Sequence, residues 1–126
     1  MQKQIYYHDK DCGGVVYYSN YLKFMEEART DYFARRGLSI KELAEAGTMF
    51  VIARVEIDYK LPAFYGDRLD IETVFSAVHR VKIEVEHIVK NQKGKLICKC
   101  KTLMVCVDKN IEPKAIPEDI RRRLEV

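Results

Sequence analysis

Residues 7–22 read YHDKDCGGVVYYSNYL, and this stretch decides how the rest of the chain is organised. Two carboxylates, Asp9 and Asp11, precede the start of a helix, and the pair Gly13-Gly14 lies between them and that helix. The first N–H groups of a helix lack partners within it and carry partial positive charge. Glycines let the backbone approach a ligand or a water molecule closely. A carboxylate facing such a helix end combines a base with a carbonyl-polarising group, which suits hydrolysis of a carbonyl compound.

The helix predicted after this stretch covers residues 20–36. Its apolar residues recur at helical spacing, at Tyr21, Met25, Ala28 and Tyr32. Ser19 or Asn20 is the expected N-cap, because short polar side chains accept hydrogen bonds from the first free N–H groups. Gly37 is the expected stop. A shorter helix is predicted to follow over residues 39–46.

Most of the remaining chain alternates apolar and polar residues with the period of a strand. The predicted strands cover residues 2–7, 51–61 and 68–78, a segment that begins near residue 81, and residues 95–107, before a short C-terminal helix over 116–124. In residues 51–61 the apolar set is Val51, Ala53, Val55, Ile57, Tyr59 and Leu61, which predicts one apolar face. One strand, one long helix and four antiparallel strands pack most economically as an α+β fold, in which a curved antiparallel sheet wraps around the helix.

Composition indicates one folded domain. The chain has 126 residues, of which 48% are hydrophobic and 33% charged. The net charge of +3 is too small a bias to indicate nucleic-acid binding. No apolar run approaches the ~20 residues that a membrane span needs, and the polar N-terminus lacks a signal-peptide pattern. A cytoplasmic location is therefore expected.

Three of the four cysteines, Cys98, Cys100 and Cys106, fall at even spacing on one predicted strand and share a face. Neighbours on one face lie about 6.5 Å apart, which is poor geometry for a disulfide. The spacing of Cys98 and Cys100 differs from that of zinc-binding pairs, so we interpret all three as core residues and predict no metal site. His87 alternates with the apolar residues of its strand and is interpreted in the same way.

A second stretch, YKLPAFYGDRL at residues 59–69, links two of the predicted strands. Together with DKDCGGVVYYSNY at residues 9–21, it carries a resemblance to a known family. The chain resembles the hotdog-fold acyl-CoA thioesterases of the 4-hydroxybenzoyl-CoA thioesterase and YbgC-like type. The earlier segment matches the family pattern Asp-x-Asp-x-x-Gly-x-Val, followed by Asn-Tyr at the helix start. The resemblance covers residues 2–108 and implies a hotdog fold for a single domain spanning residues 1–126.

The resemblance implies an acyl-CoA thioesterase in which Asp11 is the catalytic carboxylate and Asp9 is structural. A backbone N–H group near Tyr18, at the start of the central helix, would polarise the thioester carbonyl. Asp11 would either deprotonate water or attack the carbonyl itself, and the sequence leaves both routes open. The chain departs from the YbgC-like pattern at Tyr18, where many such members carry His, and at Cys12, which replaces a small residue.

Substrate-binding residues are implied in two places. The loop and the helix start supply Gly14, Val15, Tyr17, Asn20 and Tyr21, although helix capping and core packing are the alternative roles of the last two. The turn that contains His79, Arg80 and Lys82 matches a basic segment that contacts coenzyme A in the 4-hydroxybenzoyl type, and a solvated turn is its alternative. Coenzyme A is part of the substrate, so no separate cofactor is expected.

Three functions compete at this point. The first is hydrolysis of short-chain or aromatic acyl-CoA thioesters. The second is dehydration of 3-hydroxyacyl thioesters, which needs a histidine paired with a carboxylate, and His8 does not match that pattern. The third is a non-catalytic module that binds acyl-CoA or an acyl carrier protein, which would have no need for Asp11.

Two considerations predict that the chain forms a homo-oligomer. Sheet edges tend to be paired or covered, and proteins of the resembled family pair two sheets edge to edge. A homodimer, or a homotetramer built as a dimer of dimers, is therefore expected, with the acyl site at the interface between two chains.

Overall fold

The computed structural model describes residues 1–125. The elements in chain order are β1 (Gln2–Gln4), α1 (Asn20–Arg35), α2 (Ile40–Glu45), β2 (Met49–Tyr59), β3 (Arg68–Val78), β4 (Lys82–Lys90), β5 (Leu96–Val107) and α3 (Glu118–Leu124), with a 3-10 turn at Tyr7–Asp9. The five strands form one antiparallel sheet in the order β1-β3-β4-β5-β2. This architecture confirms the predicted α+β hotdog fold, with β1 and β2 as the two edges of the sheet.

The long helix α1 buries one face against the sheet. Its buried residues are Tyr21, Phe24, Met25, Ala28 and Phe33, and all but Phe33 share a cluster with sheet residues that include Leu69, Ile71, Val89 and Cys98. Burying a side chain as large as that of Phe24 or Met25 stabilises the fold by about 1.5–3 kcal/mol. The apolar periodicity of residues 20–36 therefore predicted the face of the helix that holds the core together.

The two ends of α1 differ in how well the sequence predicted them. Ser19 occupies the N-cap position, but its side chain caps nothing, and Asn20 uses its side chain elsewhere. Gly37 ends the helix as predicted, with a left-handed φ of 73°. The N–H groups of Gly37 and Leu38 bond to the carbonyls of Ala34 and Phe33, both at 3.0 Å, which is a Schellman motif.

The strands of the sheet lie close to their predicted positions, with one exception. β1 ends at Gln4 rather than at residue 7, because the chain turns at Tyr6, whose N–H bonds to the carboxylate of Asp9 at 2.9 Å. Every other predicted strand and helix is recovered to within two residues at either end. Cys98, Cys100 and Cys106 are buried on β5, which confirms that they pack in the core.

The prediction for β2 is wrong about which residues share a face. A β-bulge interrupts the pairing of β2 with β5 between Ile52 and Arg54, so Ala53 has no partner on β5. The extra residue reverses the alternation. Val51 therefore lies on the opposite face from Val55, while Ile52 lies on the same face as Val55. Because β2 is an edge strand, Ile52 and Val55 stay 44% and 37% exposed.

His87 on β4 is fully buried, as its place in the apolar pattern predicted. Neither ring nitrogen has a hydrogen-bond partner within residues 1–125. The residue lies opposite Cys100 on β5 and Thr73 on β3. Burial, and secondarily the charge of Arg29 on α1, lowers the pKa of His87 from 6.5 to about 4. The ring is therefore neutral at pH 7, and the fold resists its protonation.

We expect stability to fall with acidification through this residue. The unfolded chain takes up a proton on His87 below pH 6.5, whereas the native chain resists until about pH 4. The native state should therefore lose about 3 kcal/mol of unfolding free energy between pH 7 and pH 4 through this one group. His87→Leu should remove this contribution, so the unfolding free energy should depend less steeply on pH. Urea denaturation at fixed protein concentration over this pH range measures the difference.

The matched control is Ile88→Leu on the same strand, which introduces the same side chain without removing a titratable group. It should keep the wild-type dependence on pH. Equal slopes for wild type and His87→Leu would contradict the role of His87.

Candidate active site

Asp9 holds the loop in shape. It is buried, and one carboxylate oxygen accepts the Tyr6 N–H at 2.9 Å. Its backbone carbonyl accepts the Tyr17 N–H at 3.0 Å and the Asn20 side-chain amide at 2.8 Å. Asn20 therefore ties the start of α1 to the loop, and its side chain does not cap the helix. These contacts agree with a structural role for Asp9.

The Asp11 carboxylate is anchored by one oxygen. Oδ1 accepts the N–H groups of Gly13 at 2.8 Å and Val15 at 3.3 Å. The backbone closes the same loop, since Gly14 N–H donates to the Asp11 carbonyl at 3.1 Å and Asp11 N–H donates to the Val15 carbonyl at 2.7 Å. Gly14 has a φ of 88°, a conformation that side chains rarely tolerate. No described residue bonds to Oδ2 of Asp11, so this oxygen is available for chemistry.

The start of α1 lies beside this loop. A turn spans residues 17–20, closed by the Asn20 N–H donating to the Tyr17 carbonyl at 2.9 Å. In the part of the chain that the structure describes, the N–H groups of Tyr18 and Ser19 donate to no protein acceptor. The Tyr18 hydroxyl, and to a smaller extent the Asp11 carboxylate, raise the pKa of Tyr17. The Asp11 charge is thus felt at the residues that lead into the helix.

A cavity of about 320 Å³ opens between the start of α1 and the end of β2. Its lining residues are Val16, Tyr18, Tyr21, Tyr59, Lys60, Leu61 and Pro62. Tyr21 is buried, and its ring meets Phe24 and Tyr59 edge to face, with centroids 5.7 and 5.6 Å away. Tyr21 thus both packs in the core and lines the cavity.

Tyr59 and Leu61 line the cavity, although the sequence of the 59–69 motif predicts only a link between strands there. The Val16 N–H donates to the Ala63 carbonyl at 2.8 Å, and Val15 forms a β-bridge with Phe64. The loop and this motif are therefore one structural unit, and their pairing was the signal that could have added Tyr59.

The basic turn lies at the other end of the sheet. His79, Arg80 and Lys82 are exposed at the junction of β3 and β4. β3 begins beside the Asp11 loop and runs 11 residues before this turn, a path of roughly 35 Å. His79 Nε2 contacts a Glu84 carboxylate oxygen at 2.8 Å. Within one chain, the structure therefore does not bring these three residues to Asp11.

No three or more His, Cys, Asp or Glu side chains of residues 1–125 are arranged to hold a metal ion. Burial raises the pKa of Cys98 to about 12, so its thiol stays protonated at neutral pH. None of the described helices is both long and apolar enough to cross a membrane.

The sequence matches the model of the family described as the thioesterase-like superfamily over residues 6–124. It is 31% identical over 118 residues to the acyl-CoA thioester hydrolase YbgC of Escherichia coli, covering 93% of this chain and 88% of the relative. It is 34% identical over 121 residues to the acyl-CoA thioesterase YbgC of Haemophilus influenzae, covering 94% and 88%.

Solved structures have the same fold. A hypothetical protein of Thermus thermophilus superposes with a TM-score of 0.94 at 26% identity, covering 99% of this chain and 95% of that one. A thioesterase of Thermus thermophilus complexed with coenzyme A and zinc superposes with a TM-score of 0.85 at 30% identity, covering 99% and 90%. These matches confirm the resemblance that the two motifs carry, and the chain belongs to the thioesterase-like superfamily.

Proposed function

We propose that this thioester hydrolase converts short-chain or aromatic acyl-CoA to the free acid and coenzyme A, with Asp11 as its catalytic carboxylate. Relatives in Escherichia coli and Haemophilus influenzae carry the name of acyl-CoA thioester hydrolase or thioesterase. The observation that best supports the proposed residue roles is how the Asp11 carboxylate is held. One carboxylate oxygen is fixed by two loop N–H groups, and the loop leads into a turn before α1 in which the N–H groups of Tyr18 and Ser19 have no described partner.

Two chemical routes fit this arrangement. In the first, Oδ2 of Asp11 takes a proton from water while the water oxygen bonds to the thioester carbon. The C–S bond then breaks, and its electron pair leaves with the sulfur, which gains a proton. In the second, Oδ2 itself bonds to the carbon, the thiolate leaves, and water hydrolyses the mixed anhydride.

Both routes place negative charge on the carbonyl oxygen. The N–H groups of Tyr18 and Ser19 are suited to stabilise that charge, because they lie at the positive end of α1 and lack protein acceptors among the described residues. A donor of this kind typically contributes about 10²–10³ in rate. Tyr18 thus acts through its backbone, whereas its exposed ring lines the cavity.

The acyl group would occupy the cavity beside Tyr21 and Tyr59. At about 320 Å³, this cavity lies at the lower end of the range for small-molecule sites. Its walls combine aromatic rings with aliphatic Val16 and Leu61. This lining suits an apolar acyl chain or an aromatic ring.

A second copy of the chain would complete the site. β2 has a free edge, and pairing it antiparallel with the β2 of another copy would bring the Tyr59 end of one strand beside the Met49 end of the other. The basic turn lies at the Met49 end of the sheet, two strands in from β2, which is roughly 10 Å. Arg80 and Lys82 of one copy would then approach the cavity of the other, where phosphates of coenzyme A need cations.

Binding without turnover is the second candidate function. The two bonds that Asp11 Oδ1 makes to Gly13 and Val15 are those of a loop aspartate with a purely structural role. A protein of this kind would retain acyl-CoA or an acyl carrier protein and release no thiol. The dehydratase alternative receives no support, because His8 is exposed and stacks on Tyr6 at 6.0 Å, outside the cavity lining.

Asp11→Asn should lower kcat for acyl-CoA hydrolysis by at least about 10². Asparagine can still accept the N–H groups of Gly13 and Val15, so the loop should persist, but it neither takes a proton nor attacks a thioester. Release of free thiol is measured over a panel of acetyl, butyryl, hexanoyl, palmitoyl, benzoyl and 4-hydroxybenzoyl-CoA. Asp119→Asn, an exposed change on α3, is the matched control and should keep wild-type rates. Near-normal turnover in Asp11→Asn would refute the catalytic assignment.

Arg80→Ala should raise KM for acyl-CoA by up to about tenfold, because it removes a cation offered to phosphate. A truncated acyl-pantetheine thioester lacks the nucleotide phosphates, so its KM should not change. Lys41→Ala removes an exposed cation on α2 and serves as the control. An equal effect of Arg80→Ala on both substrates would exclude the phosphate role.

A further inference from the structure

The last residue of β2 reaches across the cavity to the start of α1. Tyr59 donates its hydroxyl hydrogen bond to the backbone carbonyl of Tyr18 at 3.0 Å, although 41 residues separate the two in sequence. Its ring meets the ring of Tyr21 edge to face, with centroids 5.6 Å apart. An edge strand and a helix start are thus joined by one side chain.

This hydrogen bond acts on the peptide unit that carries a proposed oxyanion donor. The Tyr18 carbonyl and the Ser19 N–H belong to the same planar peptide, in which they point in opposite directions. Holding the carbonyl toward Tyr59 therefore fixes the Ser19 N–H in the opposite direction within that plane. A hydrogen bond to the carbonyl also polarises the peptide and strengthens its N–H as a donor.

Both ends of the turn that contains this peptide are tied to the Asp9 carbonyl, through the Tyr17 N–H and the Asn20 side chain, but no described backbone group bonds to the Tyr18–Ser19 peptide itself. Asn20 N–H closes the turn onto the Tyr17 carbonyl, and the side chain of Ser19 makes no capping bond. The bond from Tyr59 is the one that reaches the Tyr18 carbonyl from a side chain of residues 1–125. Tyr18 itself is 62% exposed, so packing of its own ring does little to fix the turn.

We infer that Tyr59 is a positioning residue for hydrolysis: its hydroxyl holds the Tyr18–Ser19 peptide so that the Ser19 N–H faces the developing oxyanion. This inference rests on the proposed function. Tyr59 does not touch the reacting atoms, and it acts through the peptide that it orients.

The test compares Tyr59→Phe with Tyr65→Phe. Phenylalanine keeps the ring against Tyr21 and the cavity wall, and it removes only the hydroxyl that bonds to Tyr18. Tyr65 belongs to the same motif, but its ring contacts Tyr7, with centroids 5.8 Å apart, outside the cavity lining. We expect Tyr59→Phe to lower kcat about tenfold with KM for acyl-CoA nearly unchanged. Tyr65→Phe should leave both parameters at wild-type values.

Two further readouts separate positioning from other roles. The pH profile of kcat should keep its shape in Tyr59→Phe, because a positioning residue donates no proton in the reaction. The backbone amide resonance of Ser19 should shift in Tyr59→Phe and stay in place in Tyr65→Phe, since only the former frees the peptide.

Each outcome decides the inference. A wild-type kcat in Tyr59→Phe, an unmoved Ser19 amide, or a rise in KM in place of the fall in kcat would overturn it while Asp11-dependent turnover in the wild type still supported the proposed function. If the wild type hydrolysed no thioester of the panel, the proposed function would fail, and the positioning role would fail with it.

Discussion

The candidate site depends on a joint between the two motifs of the chain, made by the backbone bond from the Val16 N–H to the Ala63 carbonyl at 2.8 Å and by the Tyr59 side-chain bond to the Tyr18 carbonyl. With the adjacent bridge between Val15 and Phe64, it fixes the loop after Asp11 against the segment that leaves β2. The loop then leads straight into α1, whose buried face packs on the sheet. Without this joint, the loop that carries Asp11 would no longer be held against the segment that leaves β2.

The sequence predicted best those features that depend on local periodicity or on a single residue type. Apolar spacing gave α1 and its core face, and Gly37 marked the end of the helix because a left-handed φ favours glycine. The bulge at Ala53 escaped prediction, since its cause lies in the pairing of β2 with β5 rather than in the local pattern. The same holds for Asn20, whose side chain is used by a loop carbonyl 11 residues away instead of the helix end.

The candidate site was predictable from the sequence only where its residues lie close together in the chain. Asp11 and the helix start are neighbours in sequence, so a motif could suggest both, and their roles as catalyst and oxyanion donors stay predictions. Tyr59 is brought to the helix start by the sheet, and no pattern near residue 18 announces it. For Arg80, sequence and structure disagree. The resemblance of the basic turn to a segment that contacts coenzyme A predicts that Arg80 binds substrate, whereas the length of β3 places it at the opposite end of the sheet from Asp11. Arg80 could contact a substrate held near Asp11 only if the two residues came from two paired chains.

The way Asp11 is held bears on what it can do. A carboxylate that rotates freely must lose that freedom before it can act, which adds to the barrier. Here Oδ1 already bonds to the Gly13 and Val15 N–H groups, so the direction of Oδ2 is set before substrate arrives. Glycine at position 13 is part of this support, because a Cβ there would lie 3.2 Å from Oδ1 and crowd the very oxygen that anchors the group. The bonds that a structural aspartate would make are therefore also the bonds that would prepare a base or a nucleophile. An isosteric amide at position 11 keeps these bonds and loses the chemistry, and it therefore separates the two roles.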